Sequence, residues 1–99
     1  MNPNDATVLS QLAVYEAKVG RANEARRHMD AAIAQNSTSP EVLFRRGVAL
    51  TLIGDRASAV AALRDAVNHG YSAAELRAED DLSGLANVPE FRALAQSQR

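Results

Sequence analysis

Two stretches of sequence decide the fold, residues 8–33 (VLSQLAVYEAKVGRANEARRHMDAAI) and residues 42–67 (VLFRRGVALTLIGDRASAVAALRDAV), because the second repeats the first after 34 residues. Six positions are identical in both: Val8 and Val42, Leu9 and Leu43, Val14 and Val48, Gly20 and Gly54, Ala25 and Ala59, and Ala32 and Ala66. Four further pairs are similar: Ala13 and Gly47, Val19 and Ile53, Met29 and Leu63, and Ile33 and Val67. Such a fixed period indicates repeated structural units.

Each stretch has the apolar spacing of two amphipathic helices. In the first stretch one face comprises Val8, Leu9, Leu12, Ala13 and Val19, and the other comprises Ala25, Met29, Ala32 and Ile33. Gly20 and Gly54 fall where a helix is expected to end in the left-handed conformation that glycine adopts easily. Asp5 and Ser39 are predicted N-caps, and Pro40 suits the first helical position because no N–H is needed there. Each unit is therefore predicted to be helix, turn, helix.

The composition favours a single all-α domain. Of the 99 residues 46% are apolar and 20 are alanine, whereas only 4% are aromatic, so strong helix formers dominate the apolar content. A charged fraction of 23% is ordinary for a folded soluble protein and well below that of disordered chains.

The charge pattern argues against nucleic-acid binding. The net charge is -1, and the densest basic spots, Arg26–Arg27 and Arg45–Arg46, each have an acid three or four residues away, which indicates solvated helix faces. A nucleic-acid site requires a basic stripe. Apolar runs are far shorter than the ~20 residues that cross a bilayer, and the start of the chain does not resemble a signal peptide. We expect a soluble protein without membrane insertion, with the cytoplasm as its compartment.

The period and the residue pattern resemble the tetratricopeptide repeat family, whose signature runs W-x2-L-G-x2-Y, then A-x3-F, then a further Ala and a Pro. The signature places are taken by Leu9, Leu12, Ala13, Gly20, Ala25, Met29 and Ala32 in the first unit, and by Leu43, Gly47, Leu50, Gly54, Ala59, Leu63 and Ala66 in the second. The departures are Arg46 in place of Leu, Glu16 in place of Tyr, and Ser37 and Tyr71 in place of Pro.

The resemblance implies antiparallel helix-turn-helix repeats stacked as a short right-handed α-solenoid with C-terminal capping helices. It divides the domain into repeat 1 (residues 6–39), repeat 2 (residues 40–71) and a capping tail (residues 72–99). Pro3 falls where the family places its terminal proline, so residues 2–5 are either the closing turn of a preceding repeat or an ordinary capped start.

A different pattern follows the repeats after His69–Gly70. The capping-box spacing of Ser72 and Glu75 predicts a short helix to about Ala78, and a single turn and a final helix from Pro89 come next. This ending resembles a tail that closes bacterial tetratricopeptide arrays. Two repeats are fewer than the roughly three that a stable stack needs. The expected cover for the second unit is formed by Leu76, Leu82, Leu85, Phe91 and Leu94.

Catalytic and metal chemistry have no candidate residues. The sequence contains no cysteine and two histidines, His28 and His69, which are interpreted as a surface ion-pairing residue beside Asp30 and Glu24 and as a helix-end residue. Glu79–Asp81 lacks the central glycine of a calcium loop and is interpreted as a solvated turn. The hydroxyl residues considered as nucleophiles lack a histidine base: Thr7, Ser10, Ser58 and Ser97. We expect a protein that is not an enzyme and that needs no cofactor or metal.

The family resemblance places function in the groove formed by the first helix of each repeat. The groove is expected to be lined by Thr7, Ser10, Val14, Ala17, Lys18, Glu41, Phe44, Val48, Thr51 and Leu52. The predicted partner-binding residues are Ser10, Val14, Lys18, Phe44, Arg45, Val48 and Leu52. Phe44, Val48 and Leu52 form a surplus apolar stripe, which a peptide helix, a neighbouring subunit or the chain's own final helix would cover. The Lys and Asn clamp of some family members is absent, so the expected ligand is apolar or amphipathic, with an acidic group for Lys18 or Arg45.

Three functions are compatible with this interpretation. The leading one is a scaffold that binds a peptide or helix of a partner protein, with Phe44→Ala expected to abolish binding without unfolding. The second is homo-oligomerisation through the same stripe or through the exposed edge of the first helix pair. The third is a regulatory segment of a longer signalling protein or enzyme.

Overall fold

The computed structural model describes residues 5–36 and 38–96. Every regular element in this part of the chain is helical: α1 (Ala6–Lys18), α2 (Ala22–Gln35), α3 (Pro40–Leu52), α4 (Arg56–Asn68), α5 (Ala73–Ala78), a 3₁₀ helix (Asp80–Leu85) and α6 (Pro89–Ala95). The all-α prediction is therefore confirmed for the described residues. The interpretations given to residues 2–4, Ser37 and Ser97 lie outside them.

The two repeat glycines end their helices as predicted. Gly20 has a φ of 86° and Gly54 a φ of 90°, both in the left-handed region. The N–H of Arg21 donates to the carbonyl of Glu16 at 2.8 Å, which is the longer bond of a Schellman motif. This turn reverses the chain after α1, and the equivalent turn reverses it after α3.

The predicted N-caps are confirmed for α1 and α3 but not for α5. The Asp5 carboxylate accepts a backbone hydrogen bond at 2.8 Å, and the Ser39 hydroxyl accepts one at 3.3 Å directly before Pro40. Ser72 precedes α5 but makes no side-chain capping bond. The capping box predicted from Ser72 and Glu75 therefore lacks its hydrogen bond from the Ser72 side chain.

Small residues allow the helices of each hairpin to pack closely. The helices α1 and α2 pack along each other, as do α3 and α4, and three-residue turns make both pairs antiparallel. A Cβ atom at Gly47 would overlap the Leu63 side chain, so α3 and α4 approach each other at a distance that requires glycine. Ala13, the equivalent residue of α1, is fully buried. The hairpins meet mainly through α1 and α3.

The last three helices cover the second hairpin. The 3₁₀ helix packs against α3, and α6 packs against α5 and α4. The predicted covering residues lie in one cluster with α3 and α4, where Leu76, Leu82, Leu85 and Phe91 are buried and Leu94 is half-buried. Among the described residues, no helix combines the length and the apolar character needed to cross a membrane.

Candidate functional site

The predicted partner-binding residues lie on two neighbouring helices: Ser10, Val14 and Lys18 on α1, and Phe44, Arg45, Val48 and Leu52 on α3. Because α1 and α3 pack side by side, residues far apart in sequence come together. The guanidinium of Arg45 donates to the Ser10 hydroxyl at 3.3 Å. Val14 and Leu52 are each half-buried against both core clusters.

Ser10 is an internal residue and is not available to a partner. Its side chain is 0% exposed, and its hydroxyl donates to the Thr7 carbonyl at 2.8 Å while accepting from Arg45. Arg45 is itself half-buried, which differs from the solvated helix face expected for it. Ser10 therefore holds the Arg45 guanidinium in place, and Arg45 is the side chain that faces the groove.

Phe44 is covered by the chain itself. The Tyr71 ring stacks on the Phe44 ring with the centroids 4.3 Å apart and the planes inclined by 13°. Gly70, with a φ of 108°, turns the chain after α4 and allows the Tyr71 N–H to bond to the Ala66 carbonyl at 2.9 Å. This helix end brings Tyr71 back over α3, so Phe44 contributes to the stability of the fold.

Other residues after α4 cover more of the predicted groove. Val48 is buried in the same cluster as Leu82 and Leu85 of the 3₁₀ helix. The Lys18 ammonium pairs with the Asp81 carboxylate at 3.1 Å and so joins α1 to the 3₁₀ helix. Of the three covers considered for the stripe, the chain itself provides one in part, through Tyr71 and the 3₁₀ helix.

An open cleft of about 230 Å³ remains between α1, α3 and the Glu79–Asp81 turn. It is lined by Gln11, Val14, Phe44, Arg45, Val48, Glu79 and Asp81. Its floor is apolar, because Val14, Phe44 and Val48 form it, and its rim carries charges of both signs. The Glu79–Asp81 turn, which was interpreted as an ordinary solvated turn, thus forms one wall of the cleft.

The rim next to Tyr71 is acidic. Burial raises the pKa of the Tyr71 phenol well above its usual range, and the hydrogen bond to Glu75 and the negative charge of Glu79 raise it further. The phenol is neutral at physiological pH, as an unperturbed tyrosine also is, and can donate a hydrogen bond. Arg45 contributes the opposing positive charge near this ring.

A second polar contact inside the molecule involves a departure from the repeat signature. Glu16 is only 7% exposed, and its carboxylate lies 2.6 Å from His28 Nδ1 on α2. This differs from the predicted partners of His28, Asp30 and Glu24. The contact joins α1 to α2 and so helps to close the first hairpin.

Metal-binding clusters are absent from the described residues, since no three His, Asp or Glu side chains there lie together. His69 follows α4 directly, and its Nδ1 lies 2.8 Å from the Asp65 carbonyl, which agrees with the predicted helix-end role. Comparisons of the chain with protein-family models, curated proteins and solved structures give no match.

Proposed function

We propose that this protein is a non-catalytic scaffold that binds a short segment of a partner polypeptide in the cleft between α1, α3 and the Glu79–Asp81 turn. Within this proposal the two hairpins are tetratricopeptide-type repeats, stacked as a short right-handed α-solenoid. The observation that supports it is that this part of the groove stays open and apolar, although Tyr71 and the 3₁₀ helix cover the rest.

The size of the cleft favours a single anchoring side chain. At about 230 Å³ it is smaller than the ~300–1,000 Å³ of typical small-molecule sites, and it is open along one side. One large apolar side chain of a partner would rest on Val14, and the flanking backbone would pass over the rim. Hot spots at protein interfaces are usually such apolar anchors in pockets.

The positive charge of Arg45 indicates which polar group the partner segment carries. Lys18 already pairs with Asp81, whereas within residues 5–36 and 38–96 Arg45 donates to the neutral hydroxyl of Ser10 and forms no ion pair. Because that hydroxyl does not neutralise the guanidinium, an acidic group next to the apolar anchor would gain a charge-assisted hydrogen bond. The expected ligand motif is therefore a large apolar residue followed or preceded by Asp or Glu.

Selection from a displayed library of random peptides tests this proposal. Peptides that bind the wild-type chain are expected to contain the apolar–acidic motif. In nuclear magnetic resonance titrations their binding should shift the amide signals of Gln11, Val14 and Arg45 most strongly. Shifts that centre on another surface would refute the proposal, as would a failure to enrich any motif.

A matched pair of valine variants separates loss of binding from loss of folding. Val14 and Val88 are both half-buried and pack against the same core cluster, but only Val14 lines the cleft. In Val14→Lys the long side chain fills the cleft, and we expect at least a tenfold rise in the Kd of a selected peptide. Val88→Lys should leave the Kd unchanged. Equal effects of both variants would show that the cleft is not the binding site.

A further inference from the structure

The cleft between α1, α3 and the Glu79–Asp81 turn runs along one side of α1. Ser10, Val14 and Lys18 follow one another at intervals of four residues, so they lie on neighbouring turns of that side. With a rise of about 1.5 Å per residue, Ser10 and Lys18 are about 12 Å apart along the helix. Val14, which lines the cleft, lies midway between them. The cleft therefore has a Ser10 end, an apolar centre and a Lys18 end.

The Ser10 end of the cleft carries a positive charge. The Arg45 guanidinium donates to the Ser10 hydroxyl at 3.3 Å, which holds the charge at this level of α1. Ser10 is itself fixed, because it is fully buried and its hydroxyl donates to the Thr7 carbonyl. None of the ion pairs among the described residues includes Arg45. One positive charge therefore remains without an anionic partner at this end.

The Lys18 end of the cleft carries a negative charge. The Lys18 ammonium pairs with the Asp81 carboxylate at 3.1 Å, so these two charges neutralise each other. Glu79 lines the same end, and its carboxylate accepts a hydrogen bond from the Asp81 N–H at 3.3 Å, which places it beside this pair. Within residues 5–36 and 38–96 no cation forms an ion pair with Glu79. One negative charge therefore remains at this end.

We propose that the cleft selects a segment in which an acidic and a basic residue flank the apolar anchor on opposite sides. This rests on the scaffold function proposed above and adds to it the basic residue and its place. The acidic residue pairs with Arg45, the apolar side chain rests on Val14, and the basic residue pairs with Glu79. A segment with acids on both sides is rejected, because one of them would lie against Glu79 and like charges in contact are unfavourable.

The distance between the two ends sets the spacing of the motif. An extended segment advances about 3.3 Å per residue, so the separation of about 12 Å corresponds to three or four residues. The acidic and basic residues are therefore expected three or four positions apart, with the apolar anchor between them. Because the two charges are held at fixed ends of the cleft, every bound segment must have the same chain direction. The order of acid and base along the sequence should thus be the same in all ligands.

A displayed peptide library with a fixed central Phe and random flanking positions tests this motif. Peptides selected on the wild-type chain should carry an acid and a base at the stated spacing and in one order. On Glu79→Gln, which keeps an oxygen acceptor for the Asp81 N–H, the preference for the base should disappear and the acid should persist. An acidic–apolar motif without a base, or a base that is still selected on Glu79→Gln, would overturn this inference alone. Failure to enrich any motif would refute the scaffold function as well.

Affinity measurements with a selected peptide test whether Glu79 is the partner of the base. Replacing the basic residue of the peptide by Gln should raise the Kd about three- to fivefold on the wild-type chain, and less at high salt. On Glu79→Gln the same replacement should have almost no effect. Glu90→Gln, which removes an exposed charge on α6 outside this cleft, is the matched control and should keep the full effect. Equal effects on all three chains, each verified as folded by circular dichroism, would overturn the proposal.

Discussion

Gly47 sets the distance between α3 and α4, because a Cβ atom at this position would overlap the side chain of Leu63. Leu63 is fully buried, so its side chain cannot move out into solvent to make room. Gly47→Ala gains about 1 kcal/mol in helix propensity, but overpacking of this kind costs about 1–3 kcal/mol. We expect a net loss of up to about 2 kcal/mol in the free energy of unfolding, measured by urea denaturation.

Gly84→Ala is the control for this substitution. The Cβ atom at Gly84 would lie 3.5 Å from a methyl group of Thr51, which is an ordinary van der Waals contact. The free energy of unfolding should change by less than about 0.5 kcal/mol. If Gly47→Ala proved as harmless as this control, Leu63 would have room to move and the close approach of the helices would not depend on glycine.

Asp55 makes stability depend on pH. The hydrogen bond from the Ser58 backbone N–H lowers the pKa of the Asp55 carboxyl, and the Arg26 guanidinium at 3.4 Å adds to the effect. As the pH falls, the unfolded chain binds a proton at this residue before the folded chain does. The stabilisation is therefore complete above the ordinary carboxyl pKa of about 3.9 and is lost as the pH falls through the lower value of the folded state.

Asp55→Asn tests this pH dependence, because asparagine keeps the N-cap acceptor but removes the charge. We expect the variant to be less stable than the wild type between pH 5 and 7 and the difference to vanish near pH 2, as measured by urea unfolding at each pH. In an Arg26→Gln background, the effect of Asp55→Asn on the free energy of unfolding at neutral pH should be smaller. A difference that stays constant down to pH 2 would contradict this role for the carboxylate.

Between elements, the stacked rings of Phe44 and Tyr71 join α3 to the segment after α4. A double-mutant cycle with Phe44→Ala and Tyr71→Ala should give a coupling energy of about 0.5–1.5 kcal/mol in the free energy of unfolding. The pair Phe44→Ala and Tyr15→Ala is the control, since Tyr15 lies exposed on α1, and its coupling should be near zero. If the two cycles gave the same coupling, the stacking would not stabilise the fold.

The elements could be predicted from the sequence because their signals are local. The left-handed ends at Gly20 and Gly54 and the cap at Ser39 depend on residues within one or two turns of each other. The contacts that shape the candidate site are not local. No spacing rule places Tyr71 on Phe44, because that contact depends on the direction in which the chain leaves α4.

The site residues were predicted only in part for the same reason. The helical period put Val14 and Phe44 on the first helix of successive units, and the family resemblance implied that these helices lie side by side. It could not distinguish Ser10, which is fully enclosed, from a groove residue, because enclosure depends on how closely α1 and α3 approach. Likewise Glu16 and His28 meet across the first hairpin, and only the packing of α1 on α2 reveals this contact.

The whole molecule should unfold as one unit, although it is built from repeated parts. One core cluster joins the two hairpins through Val42 and Ala49, the other joins α3 and α4 to the last helices, and the half-buried Leu52 packs against both. Interfaces shared in this way couple neighbouring repeats. The two tyrosines, in a chain without tryptophan, lie at opposite ends of this arrangement and can report on each end separately.

Single-tyrosine variants, Tyr71→Phe and Tyr15→Phe, are expected to give urea midpoints that agree between tyrosine fluorescence and far-ultraviolet circular dichroism. Adding Leu85→Ala, a fully buried side chain in the second cluster, should cost about 2–5 kcal/mol. In a cooperative molecule this loss lowers the midpoint reported by Tyr15 as much as the one reported by Tyr71, although Tyr15 is on the first hairpin. A Tyr15 midpoint that stayed in place while the Tyr71 midpoint fell would mean that the hairpins unfold independently, as loosely coupled repeats do.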